Sequence, residues 1–182
     1  MRPVRLAPLE PPYEPALAEE LARFVPPGVQ PLALFRTLAH NPRVLQKFRL
    51  GSLLDRGSLS LRERELAILR TCFRCGSEYE WGVHVAVFAR KAGLSDEEVR
   101  ATCAEPPPAG LFGARDALIL RLCDALHRSA DVDDALWAEL AREFDSPVLV
   151  ELLVLSGFYH TVSFLTNALR IEREPSAARF PA

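Results

Sequence analysis

Glu65, Cys72, Cys75, Glu80 and His84 are the side chains whose types and spacing suit them to chemistry. Cys72-x-x-Cys75 invites dithiol redox exchange, because thiols so spaced can close and reopen a disulfide. Glu80 and His84 stand at i and i+4 of a helical stretch, where a carboxylate can orient an imidazole or hold its charge for proton transfer. At about 100° per residue, Leu61, Leu66, Ile68, Leu69, Cys72 and Phe73 form one apolar arc with Glu65 near its middle. Burying a bare charge is costly, so Glu65 must be paired, hydrogen-bonded or protonated. It is either an internal salt bridge, to Arg62, Arg64 or a more distant arginine, or a catalytic acid or base with a perturbed pKa.

Position weakens the redox reading of the cysteines. Both fall in the last turn of their helix, where the dipole raises a thiol's pKa, whereas reactive thiolates favour helix amino termini. Cys72 also lies on the apolar arc and behaves there as a small hydrophobe. A zinc site is not expected: Cys103 and Cys123 make no second CxxC, and no histidine stands at finger-type spacing. Glu80 and His84 are a minimal metal pair lacking further ligands, so neither a metal nor a cofactor is expected.

The elements that carry these groups read as helical throughout, near 14–25, 30–38, 41–54, 60–75, 77–92, 95–104, 113–128, 133–144 and 147–170. Ser60/Glu63, Ser77/Glu80 and Ser95/Glu98 each have capping-box spacing, and Gly57, Gly76 and Gly93 stand where preceding helices should stop. On the 77–92 helix, Trp81, Val85 and Phe88 form one apolar arc and Val83 and Val87 another. Ser77, Glu80 and His84 run between them, which suggests a stripe facing an enclosed space. The capping box alone would account for Ser77 and Glu80, but not for His84. On the last helix, Ser156, His160, Ser163 and Asn167 share one face, suited to a wet cavity or a subunit interface. Tyr159 points about 100° away from His160 and is expected to pack elsewhere.

The chain has 182 residues, of which 49% are hydrophobic, and 22 basic against 24 acidic side chains give a net charge of −2. That balance offers no basic face for nucleic acid, and the apolar content argues against disorder. Arg5 and its neighbours precede no continuous apolar stretch, so no secretory leader is read, and the cysteines are expected to be reduced in a cytoplasm. The uncharged run 152–169 is long enough to span a membrane, but six polar side chains interrupt it and favour a buried core helix. Residues 1–38 read as an amino-terminal helical extension and 39–182 as one all-α domain.

Leu61-Arg-Glu-Arg-Glu-Leu-Ala-Ile-Leu-Arg70, Ser77-Glu-Tyr-Glu-Trp-Gly-Val-His84 and Ala89-Arg-Lys-Ala-Gly-Leu-Ser-Asp-Glu-Glu98 together resemble the carboxymuconolactone decarboxylase family. The resemblance implies the alkylhydroperoxidase D-like all-α fold, assembly into dimers, trimers or hexamers, and a site at a helix pair. In the peroxidase branch the motif is a Glu followed by Cys-x-x-Cys-x-x-x-His. Glu65 matches that Glu and His84 that His, while the two cysteine positions fall on Ser77 and Glu80. Cys72 and Cys75 lie five residues too early to replace them in the same register.

The resemblance therefore implies a cofactor-free lyase acting on a small carboxylated or lactone metabolite. His84 would be general acid/base, Glu65 its orienting or relay partner, Glu80 a second carboxylate in the pocket, and Tyr79 and His160 substrate hydrogen-bond donors. An alkylhydroperoxidase-type enzyme using Cys72 and Cys75 is the competing reading. A ligand-binding oligomer without catalysis is the third.

Overall fold

The computed structural model describes residues 3–181, all helix and connecting segments without a strand. The helices are α1 (Pro15–Leu21), α2 (Ala33–Leu38), α3 (Pro42–Leu50), α4 (Leu61–Arg74), α5 (Glu78–His84), α6 (Asp96–Ala101), α7 (Ala114–Ser129), α8 (Asp134–Glu143) and α9 (Ser146–Leu169). A π-helical turn, Val85–Ala89, prolongs α5. The all-α expectation holds.

Helix starts follow local chemistry. Asn41, Ser60, Ser95, Asp133 and Asp145 each cap a first turn with a side-chain oxygen, and Ser60/Glu63 and Ser95/Glu98 close full capping boxes. Ser77/Glu80 does not: the Ser77 side chain caps nothing on α5, and its Oγ instead lies 2.8 Å from Thr166 Oγ1 on α9. Burial against α9 gives the hydroxyl a better partner and leaves the Glu80 carboxylate for other work.

Gly76 and Gly93 adopt the left-handed φ of +65° and +70° expected of helix-ending glycines. Gly57 stops no helix. α3 already ends at Leu50 with Gly51 as its cap, and Gly57 lies where a Cβ would strike the Glu151 carboxylate. That carboxylate accepts from Ser58 N at 2.6 Å.

α4 is the central element, packed against α5, α7 and α9. Leu66, Ala67, Ile68, Leu69 and Cys72 are fully buried in its contacts. Ion pairs fix its register: Arg70, itself buried, grips Asp124 through Nε and Nη2 at 2.6 and 2.8 Å and donates to the carbonyls of Thr102 and Ala104. Arg62 joins Glu98 and Asp116. The amino-terminal helices are not detached, since Leu21, Leu34 and Leu38 sit in the same hydrophobic core.

α9 is long and apolar enough to cross a membrane by length and composition. Leu152, Leu155, Tyr159 and Val162 are buried against the bundle, while Val150, Val154 and Phe164 are exposed. The Ser156–Asn167 stripe turns mostly inward, and only its last member, Asn167, lines a cavity, beside Thr166 and Tyr79. Ser156 meets Cys123, Ser163 bonds the Tyr159 carbonyl, and Asn167 donates to the Cys75 carbonyl.

Candidate functional site

Glu65, in the middle of α4, is fully buried and satisfied from two sides. Arg64 donates to its Oε1 through Nε and Nη2, both at 3.0 Å, while Oε2 lies 2.7 Å from His84 Nδ1. The two readings of Glu65 are thus not exclusive, because one carboxylate serves an arginine and an imidazole together. Arg64 is anchored in turn by the Leu54 carbonyl at 2.8 Å and lies over the Phe88 ring.

His84 ends α5 and is itself buried. Its Nε2 is 3.3 Å from Glu80 Oε1 and 3.1 Å from the Tyr159 hydroxyl. Phe88 and Tyr159 flank the imidazole with ring centroids 5.2 and 5.1 Å away. Burial pulls the His84 pKa down, but hydrogen bonds and charges from Glu65 and Glu80 outweigh it and raise the value to about 9. At neutral pH His84 is therefore an imidazolium that donates from both nitrogens. Burial, with the nearby carboxylate of Glu80, pushes the Tyr159 phenol well above its usual range, so it stays a neutral hydroxyl.

Glu80 Oε2 is buried with no hydrogen-bond partner among the described residues. Glu80 and Tyr159 both line a cavity of about 200 Å³, otherwise walled mainly by Phe24, Phe35, Phe48, Phe158 and Val162, with Arg23 and Arg49 also in the lining. Phe24 follows α1, Phe35 lies on α2 and Phe48 on α3, so the amino-terminal helices close the space over the α4–α5 cluster. A buried acid beside a hydroxyl at the edge of an aromatic cavity, backed by an imidazolium, is a proton-transfer arrangement.

Two of the expected substrate groups lie elsewhere. The Tyr79 hydroxyl donates to Glu174 Oε1 at 2.7 Å and accepts from Leu34 N at 3.1 Å, tying α5 to α2 and the carboxy-terminal tail. Tyr79 lines a larger cavity, about 600 Å³, which includes none of Glu65, Glu80 or His84. His160 turns toward His127, its Nε2 3.3 Å from His127 Nδ1. The group that sequence reasoning missed is Tyr159. Its signal was present: Tyr159 shares a face with Leu152, Leu155 and Val162, and a buried tyrosine hydroxyl needs a partner.

The cysteines are free thiols. Cys72 is fully buried; burial first, then the charge of Glu80, drives its pKa well above the ordinary range. Burial likewise raises the half-buried Cys75. Neither favours a resting thiolate. Val87, expected to wall the stripe, is exposed. The π turn after His84 widens the helix there and rotates the following residues away from the 3.6-residue register.

The central segment matches one family model. Residues 40–119 match the model of the carboxymuconolactone decarboxylase family. The segment spans α3 to the first part of α7 and contains Glu65, Glu80 and His84, whereas Tyr159 lies outside it. The whole fold is that of alkylhydroperoxidase D-like proteins. A peroxidase-related protein of Silicibacter sp. TM1040 superposes with a TM-score of 0.83 at 16% identity, covering 100% of this chain and 97% of that one. The alkylhydroperoxidase AhpD core protein of Ralstonia eutropha JMP134 gives 0.75 at 14% identity, covering 96% and 95%. The debrominase Bmp8 gives 0.75 at 15% identity, covering 94% and 92%. No curated protein sequence matches significantly.

Proposed function

We propose that the chain is a cofactor-free lyase that decarboxylates a small carboxylated or lactone metabolite by proton transfer. The observation that carries this reading is His84 held between Glu65 on one nitrogen and Glu80 with Tyr159 on the other, with Glu80 and Tyr159 at the cavity. In a decarboxylation the carbon–carboxylate bond breaks, CO2 leaves, and its electron pair stays on the ring carbon. A proton must then reach that carbon. Glu80 and Tyr159 touch the substrate, and the His84 imidazolium resupplies the proton through them; Glu65, fixed by Arg64, keeps the imidazole oriented and charged. The cavity walls of Phe24, Phe35, Phe48 and Phe158 suit a small flat ring. A cysteine-to-alanine variant of Bmp8 has been solved in complex with 2,3,4-tribromopyrrole, a ring of that size class held by a protein of this fold.

A second reading is a peroxidase using Cys72 and Cys75. Its support is the fold shared with a peroxidase-related protein. One panel separates the two. Incubation with small cyclic carboxylates and lactones in D2O should release CO2 or place deuterium on the ring, and His84→Gln should slow this by about 10²–10⁴-fold. Cys72→Ser should leave it nearly unchanged. Peroxide consumption that disappears in Cys72→Ser, without ring deuteration by the parent protein, would establish the second reading instead.

A further inference from the structure

Outside the Glu65–His84 cluster, three side chains with ligating atoms converge where α4, α7 and α9 meet. Cys75 Sγ lies 3.6 Å from His127 Nδ1, and that nitrogen lies 3.3 Å from His160 Nε2. One ligating atom from each of the three falls within 4.8 Å of the other two. Tetrahedral zinc, bonded to nitrogen at about 2.0–2.1 Å and to sulfur at about 2.3 Å, places its ligands about 3.3–3.6 Å apart. The two measured separations are those of neighbouring ligands on one such ion.

The surroundings point the same way. His160 Nδ1 is 2.9 Å from the Ser156 carbonyl, which can only accept, so Nδ1 carries the proton and Nε2 turns its lone pair to the cluster. The Cys75 carbonyl is held against α9 by Asn167 Nδ2 at 2.8 Å. Cys75 caps the carboxy end of α4 and His127 lies in the last turn of α7, so two helix dipoles present their negative ends to this point. The neighbouring Arg74 guanidinium is engaged by Glu105 and Asp124. All three candidate ligands are half-buried.

We propose that Cys75, His127 and His160 form a binding site for a borderline-soft divalent transition metal, Zn2+ above all, with a fourth position left to water or an added ligand. One thiolate and two imidazoles suit zinc better than calcium or magnesium, which take oxygen ligands. The ion staples the ends of three helices, and the site is separate from the proton-transfer cluster. It gives Cys75 a role that needs no pairing with Cys72.

The test uses the full, untagged chain stripped by chelation and titrated with Co2+, then Zn2+. One equivalent of Co2+ should give thiolate-to-cobalt absorption with tetrahedral d–d bands, Zn2+ should displace it, and Zn2+ should raise the melting temperature. Cys75→Ser should abolish the thiolate band, and His127→Gln and His160→Gln should each weaken binding at least about tenfold. Cys103→Ser should change neither. Circular dichroism reports whether each variant folds. For any that does not, Zn2+ protection of Cys75 against alkylation in the parent chain, mapped by peptide mass spectrometry, replaces it. No thiolate band in the parent protein, no protection of Cys75, or equal Zn2+ affinity after loss of both histidines would overturn the proposal and leave a hydrogen-bonded trio.

Discussion

His84 has its folded pKa raised to about 9 from an ordinary 6.5, which makes the cluster a contributor to stability as well as a candidate catalyst. Because the folded state holds this proton more tightly than the unfolded chain, the contribution is complete below pH 6.5 and is lost as pH rises through about 9. Urea unfolding followed from about pH 6 to about pH 9.5 should show falling stability, and Glu65→Gln should flatten that fall. Tyr159→Phe removes only one hydroxyl from His84 Nε2, so it should cost about 1 kcal/mol of stability in the same assay. The sequence carried Glu65 and His84 clearly, since a carboxylate on an apolar arc and an unexplained histidine both demand partners. It was divided on Glu80, whose capping-box spacing with Ser77 offered a sufficient local role beside the place in the pocket that the resemblance implied. The competing bond from Ser77 to Thr166 crosses 89 positions of chain and cannot be read from spacing.

At the scale of elements, helix identity followed from caps and periodicity, while boundaries and register depended on contacts distant in sequence. α3 ends at Leu50 instead of reaching residue 54, and the π turn at Val85–Ala89 breaks the periodicity on which the placing of Val87 rests. Gly82 is the other position where packing decides. A Cβ there would fall on the Ala178 carbonyl, and Ala178 N donates to the Gly82 carbonyl at 3.1 Å, so α5 and the carboxy-terminal tail touch backbone to backbone. Phe180 then packs on Trp81, with centroids 5.3 Å apart. Gly82→Ala should therefore release the tail. The expected signs are faster proteolysis near Ala177–Phe180 and easier iodide quenching of Trp81, with the helical circular dichroism retained.

For the whole molecule, the α9 face that the bundle leaves uncovered is informative. Val150, Val154 and Phe164 are exposed, and with Gly157 and Thr161 they form one stripe at helical spacing. Nothing lies within 4 Å of where a Cβ on Gly157 would sit, which leaves room for close approach by another helix. We propose that a second copy of the chain covers this stripe, as the resemblance to an oligomeric family implies. Light scattering should give a mass above 20.3 kDa, and Val154→Glu with Phe164→Glu should reduce it toward that value. The architecture was legible in the sequence because each helix carries its own start signal. The aromatic cavity was not, because Phe24, Phe35, Phe48 and Phe158 come from four separate stretches that only the fold brings together.

Proton transfer at this site requires that Glu65 and Glu80 keep His84 protonated beside the cavity. Nitrogen-15 NMR titration of the four histidines tests it most directly. One resonance, absent in His84→Gln, should titrate near pH 9 and move down in Glu65→Gln. If every histidine instead titrates at or below 6.5, His84 is neutral in the folded protein and the proton-transfer account is contradicted.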